Sequence, residues 1–255
     1  MGCMTGMFGR EIIELPSRTV RLVNRVYRKL RLEAAYRKTE QEYARKGEGQ
    51  KIDWDWKATH YNRVALLNVL ASRNSAAAYL EIGCFRNELF DSLPLTVKVG
   101  VDPVQGGTVR ATSDAFFATN TQKFDLIFID GLHTYEQVHR DVANALKAVT
   151  PGGWIAMHDM LPRNVMEQHE PYSELTAWVG QGWKVAFELL KTEGVDFKIV
   201  KIDHGVGVIR VITPGTELAD LSGPLNGPQF PYFCENYTRL PLVTWDEALP
   251  WLRTA

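Results

Sequence analysis

Cysteine is scarce in this chain: Cys3, Cys84 and Cys234 stand far apart among 255 residues. Their odd number and wide spacing offer no disulfide framework and no zinc-ligand pattern, so a reducing cytoplasm is the expected compartment. An excess of charge of one sign is lacking too. The formal net charge is -1, from 29 basic and 30 acidic residues, so no global field draws the chain to nucleic acid. No apolar run approaches the roughly 20 residues that a membrane-spanning helix needs. Residues Met1 to Arg10 lack the basic-then-apolar layout of a secretory signal. Gly6 stands where a myristoylation pattern carries Ser or Thr, which discounts lipid attachment at Gly2 or Cys3. Internal repeats and low-complexity tracts are absent. A chain of this length then supports one α/β domain with appendages.

What is present changes character along the chain. From Ser17 to Lys46, Val20, Val23, Val26, Tyr27, Leu30 and Ala34 recur at helical spacing among many basic residues, which predicts a long amphipathic helix. Such a helix reads first as a dimerisation or packing element, which makes a homodimer the expected oligomer. A Gly-rich break at residues 47–49 leads through the tryptophan-bearing 52–56 into the main domain. There, short apolar runs at 77–82, 97–101, 124–129, 153–157, 197–202 and 206–212 read as buried strands. Helical segments at 61–72, 135–149 and 174–190 separate them. This alternation predicts a doubly wound, Rossmann-like, mostly parallel α/β sheet, its last two strands forming an antiparallel edge hairpin. The expected organisation is a basic helical extension and linker (1–57), a catalytic domain (58–213) and an aromatic tail packed on the core (214–255), ending in a short helix at 245–252.

Ligands of open parallel sheets bind at the carboxyl ends of the strands, so polar residues there carry the functional signal. The first strand ends Glu81-Ile82-Gly83-Cys84-Phe85. It lacks the Gly-x-Gly-x-x-Gly series that seats a pyrophosphate, which counts against a nicotinamide cofactor and favours a nucleoside without that group. Asp102 closes the second strand about 20 residues beyond Glu81, the separation at which a carboxylate accepts hydrogen bonds from ribose hydroxyls. Ser113 and Asp114 precede Ala115-Phe116-Phe117 and read as an N-cap or as neighbours of a base. The densest stretch is Asp125 to Tyr135, which delivers Asp130 and His133 to the cleft, and the next strand adds His158 and Asp159 at the same edge. Two carboxylates with imidazoles nearby can hold Mg²⁺ or Mn²⁺ through Asp130, Asp159 and His158, leaving His133 to take a proton. Against this stands the structural reading, with Asp159 capping a turn and His158 an ordinary packed histidine. His60, His139, His169 and His204 have no partner at ligand spacing and read as surface or packing residues.

The run Asp130-Gly131-Leu132-His133-Thr134-Tyr135, together with Asp141, Leu146, Pro151-Gly152-Gly153 and His158-Asp159, resembles the class I S-adenosylmethionine-dependent methyltransferases, in particular a bacterial branch acting on small molecules and glycans. The resemblance covers roughly residues 62–211. It implies a seven-stranded sheet, S-adenosylmethionine as cofactor, Gly83 and its neighbours (Glu81, Cys84, Phe85) along the methionine portion, Asp102 at the ribose, Ser113 and Asp114 near adenine, and Asp130, Gly131 and His133 near the methionine end or a metal. It is also similar to the metal-assisted catechol-type O-methyltransferases, in which a basic residue three positions after the first metal-binding Asp deprotonates the acceptor; His133 holds that place. Arg86-Asn87-Glu88 depart from the family's small residues after the first-strand glycine, and Met160 stands where the catechol enzymes carry an Asn ligand. The expected activity is O-methylation of a hydroxyl on a small molecule or glycan, with Asp130 and His133 as catalytic residues. The rival readings are a non-catalytic nucleoside-binding module docked on a partner or a membrane surface through its basic N-terminal helix, and a metal-dependent hydrolase.

Overall fold

The structure, a computed structural model, describes residues 17–172, 174–227 and 229–254. The expectations about Gly2, Cys3 and an N-terminal signal fall outside these residues. Seven strands form one sheet: β1 (Ala78–Ile82), β2 (Val97–Val101), β3 (Phe124–Ile129), β4 (Val149–Met157), β5 (Val195–Val200), β6 (Val206–Val211) and β7 (Leu242–Val243), in the order β2-β1-β3-β4-β6-β5-β7. Only β6 runs against its neighbours. The strands read as continuous apolar runs because both faces are covered. On β3, Ile127 and Ile129 join one buried cluster while Leu126 and Phe128 join the other.

The helices are α1 (Ser17–Arg45), α2 (Arg63–Ala71), α3 (Glu88–Ser92), α4 (Ser113–Thr119), α5 (Tyr135–Ala148), α6 (Val165–Gln168), α7 (Trp183–Leu189), α8 (Ser222–Leu225), α9 (Phe230–Asn236) and α10 (Trp245–Leu252). Helices α5, α7 and α9 contribute to the first cluster, and α2, α3 and α10 to the second. Among the described residues no helix is long and apolar enough to cross a membrane.

Three local outcomes differ from the sequence reading. The helix expected over 174–190 is confined to Trp183–Leu189, because Gly180 adopts a left-handed conformation (φ 65°) that a right-handed helix cannot contain. The cap of α4 is Thr112, whose hydroxyl accepts the Ala115 amide at 3.2 Å, so Ser113 and Asp114 already lie inside the helix. The β5–β6 hairpin stops short of the sheet edge, because the tail pairs β7 along β5.

Phe233 binds the appendages to the body. Fully buried, it lies 5.2 Å from the Trp183 ring, 6.3 Å from Trp54 before the main domain and 5.9 Å from Tyr237 beyond α9. Tyr43 of α1 adds a hydrogen bond of 2.9 Å to His169 Nδ1. Phe233→Ala should therefore cost about 3–5 kcal/mol, read as a lowered urea midpoint; a loss within 1 kcal/mol or so would mean that the tail is not part of the cooperative core.

Candidate functional site

The strand order places a topological switch point between β1 and β3, because the chain winds from β1 to β2 on one side and returns to β3 on the other. The crevice at such a point is where open α/β sheets bind ligands. A cavity of about 560 Å³ opens there, within the size range of small-molecule sites. Gly83, Phe85, Asp102, Ser113, Asp130 and Gly131 line it, together with Ile82, Leu132 and Gln137. Of the residues expected at a cofactor, Glu81, Cys84, Asp114 and His133 lie outside this lining.

Hydrogen bonds that continue the ladders beyond the strands fix the cavity floor. Gly83 N donates to Val101 O at 2.9 Å, Asp130 N to Ile82 O at 2.8 Å and His158 N to Ile129 O at 3.0 Å. Gly83 is required by close approach as well as by its φ of 86°: a Cβ there would sit 2.1 Å from Asp130 O. Glu81 is buried and accepts the Tyr79 hydroxyl at 2.5 Å, and burial pushes its carboxyl up to about 7 despite that bond. Burial likewise pushes the Cys84 thiol up to about 12, which makes it an inert packing residue. Asp114 faces α5, where Arg140 Nε reaches it at 3.2 Å.

Asp102 has a double role imposed by its loop. Its carboxylate accepts the amides of Phe85 at 3.0 Å, Val104 at 2.8 Å and Gln105 at 2.8 Å. Burial works against ionisation, but these amides and nearby Arg110 hold the group below the usual carboxylate range. A carboxylate accepts about four hydrogen bonds, so one position remains for a ligand hydroxyl. The first turn of α3 carries Glu88 and Asp91, and these charges at a helix N-terminus disfavour a phosphate beside it.

The charged residues gather below this cavity. His158 Nδ1 lies 3.2 Å from Asp130 Oδ1 and 3.2 Å from Asp159 Oδ1, and its Nε2 lies 3.4 Å from Asp203 Oδ2. His133 Nε2 stands 3.4 Å from Asp130 Oδ1 and 3.6 Å from Asp159 Oδ2. Arg63 closes the group, with Nε 3.6 Å from Asp130 and Nη1 2.8 Å from Asp203. Burial disfavours charge on both imidazoles, yet the surrounding carboxylates raise His133 above its ordinary value and His158 well above it. The imidazoles in turn hold Asp130 far below the carboxylate range, and His158 with Arg63 does the same for Asp203, in each case against the effect of burial.

One donor atom each from Asp130, His133 and Asp159 lies within 4.8 Å of the others, a spacing open to a metal ion. His158, expected as a ligand, joins the same cluster, with Nδ1 3.2 Å from Asp130 and from Asp159 and Nε2 3.4 Å from Asp203. A second group, His139, Glu188 and Asp220, has similar spacing. There Glu188 already accepts the Tyr135 hydroxyl at 2.7 Å and the Leu221 amide at 3.1 Å.

Arg63 and Asp203 escaped the sequence reading. Arg63 opens α2, far from the strand ends in sequence, and carries no motif. Asp203 sits in the β5–β6 turn, where φ values of 44°, 60° and 88° at Asp203, His204 and Gly205 aim it inward. The Asp-His-Gly turn was the available signal, since Asp and Gly mark left-handed positions.

A family model described as a methyltransferase domain matches residues 39–160, which run from α1 through β4 and include Gly83, Asp102, Asp130, His133 and Asp159. Residues 39–160 thus resemble a methyltransferase domain. No curated protein sequence matches it. Among solved structures, the chain is similar to the O-methyltransferase TomG of Streptomyces achromogenes, involved in tomaymycin synthesis and solved with S-adenosylmethionine (17% identity, 58% of this chain and 79% of that one, TM-score 0.43). It is also similar to an O-methyltransferase of Bacillus cereus solved with S-adenosylhomocysteine (16% identity, 79% and 94%, TM-score 0.43). A third is MycE of the mycinamycin pathway, solved with Mg, S-adenosylhomocysteine and mycinamycin VI (17% identity, 59% and 48%, TM-score 0.36).

The charge cluster has a signed pH signature. The depressed carboxylates Asp130 and Asp203 stabilise the fold above their unfolded values and lose that contribution as pH falls through the folded ones. The raised His158 contributes fully below its unfolded value and loses its share as pH rises through its folded one. The stability difference between wild type and His158→Gln in metal-free protein should be greatest between about pH 4 and 6.5 and shrink on the alkaline side. Urea titrations across pH measure it, and a difference that grows with pH would contradict a protonated His158.

Proposed function

We propose that this protein uses S-adenosylmethionine to O-methylate a hydroxyl of a small molecule or glycan, with His133 as the base. The observation that carries the reading is the position of Asp130, which lines the cavity and at the same time stands 3.4 Å from His133 in the charge cluster. A cofactor in the cavity would thus end beside the ionisable groups that serve the acceptor. The lack of a phosphate-binding turn and the single free acceptor position on Asp102 suit a nucleoside without a pyrophosphate. Unpaired Cys84 and Cys234 suit a reducing cytoplasm.

S-adenosylmethionine held in the cavity would supply an electrophilic methyl group to the acceptor oxygen, with a neutral thioether as its leaving group. The protein's share is alignment and removal of one proton. His133 Nε2 faces Asp130 and Asp159, so an N–H on that nitrogen points into carboxylates and Nδ1 is left to accept the proton, as in an Asp–His dyad. The carboxylates raise the basicity of the ring, and they also favour its protonated form at rest. Asp130, His133 and Asp159 would also hold a divalent cation; imidazole in the donor set suits Mn²⁺ better than Mg²⁺. Such an ion would lower the pKa of the acceptor hydroxyl. His133 cannot bind it through Nε2 and keep a proton there.

His133→Gln should lower kcat by about 10²- to 10⁴-fold at saturating acceptor while leaving the affinity for S-adenosylmethionine unchanged. Since a base works deprotonated and His133 titrates above its ordinary value, wild-type kcat/KM should rise with pH on a limb lying above about 6.5. Near wild-type turnover by the variant would remove His133 from the chemistry, and turnover of a substrate without S-adenosylmethionine would favour the hydrolase reading.

A further inference from the structure

Helix α1 begins as an arm that meets the body at Arg28, whose guanidinium pairs with Glu174 at 2.5 Å. Every residue from Arg21 to Arg31 is exposed, whereas Tyr36 and Tyr43 further along pack against the body. Leu22, Val23, Val26, Tyr27 and Leu30 are each more than half exposed. At about 100° per residue these five fall on one arc of roughly 140°. The face bearing Tyr36 and Tyr43 lies roughly 120° from the middle of that arc. The apolar stripe is therefore turned away from the body rather than being an unfilled continuation of its packing. A helical arm of this length, with its apolar side in water, has little intrinsic stability, so a surface that covers the stripe would stabilise it.

Charge distinguishes the occupants. From Arg21 to Leu32 the chain carries five basic residues, Arg21, Arg25, Arg28, Lys29 and Arg31, and no acidic one. On the helical wheel Lys29 and Arg31 border the stripe on its two sides, and the other three lie on the opposite face. A second copy of the same arm would bring these cationic borders together, where paired coiled coils place opposite charges. The stripe also spans only residues 22–30, short of the three to four heptads or so that a coiled coil needs. A negatively charged lipid surface meets both features: the apolar side chains enter the headgroup boundary while the stems of Lys29 and Arg31 at its borders extend sideways to the phosphates. We infer that the first half of α1 is an amphipathic docking element for an anionic membrane surface, and that the chain works as a peripheral protein at such a surface. This inference is independent of the acceptor and of the role of His133.

The test is flotation of the full chain with vesicles of an equal mixture of phosphatidylcholine and phosphatidylglycerol, against vesicles of phosphatidylcholine alone. Wild type should bind the anionic vesicles at least about tenfold more tightly than the neutral ones, with binding weakened by salt. Leu22→Ser/Val26→Ser/Leu30→Ser should lose most of it, and Lys29→Gln/Arg31→Gln, which keeps the apolar stripe, should lose the preference for anionic lipid. S-adenosylmethionine binding should be unchanged in both variants. No binding, equal binding to the two vesicle types, or retained binding by the stripe variant would overturn the inference. So would a wild-type dimer in sedimentation that the stripe variant converts to monomer, which would assign the stripe to a second copy.

Discussion

The carboxylate of Asp130 holds the site together. It ends β3, and it meets His158 from the end of β4, His133 from the loop before α5 and Arg63 from the start of α2, with Asp203 of the β5–β6 turn closing the circuit through Arg63 and His158. Elements distant in sequence are thus fastened at one charged point. Buried networks of this kind add little net stability when complete, but they are costly to break, since removing one partner strands the others. The sheet makes the arrangement possible. Gly83 lets the β1 loop lie against the backbone of Asp130, and the amides that continue the ladder fix where each acidic side chain begins.

The same constraint divides the site into two chemical zones. Above Asp130 is a mostly apolar cavity in which Asp102 anchors a loop and keeps one acceptor position. Below it lie imidazoles and carboxylates whose proton affinities are shifted in opposite directions by one another. Methyl transfer needs this combination: an apolar seat for a sulfonium nucleoside, and a place beside it where one proton can leave.

Much of this was legible in the sequence because it is local. Strands such as Phe124–Ile129 are short apolar runs with sharp ends, and the acidic residue or histidine at each end announces the ligand edge. What could not be read depends on tertiary contact. Nothing around Arg63 signals that it will reach Asp130, and nothing near Glu81 tells that Tyr79 will occupy its carboxylate. The cap at Thr112 was hidden by two equally good candidates immediately after it. The helix over 174–190 failed for a local reason, glycine in a left-handed position at Gly180, which apolar periodicity overrode in the reading.

The central claim is that the crevice between β1 and β3 holds S-adenosylmethionine. Calorimetric titration of the full chain with S-adenosylmethionine and S-adenosylhomocysteine, with and without Mn²⁺, tests it most directly. Dissociation constants of about micromolar order, lost in Asp102→Ala while the variant stays folded by circular dichroism, are the predicted result. No binding under any condition, or equal binding by Asp102→Ala, would contradict it.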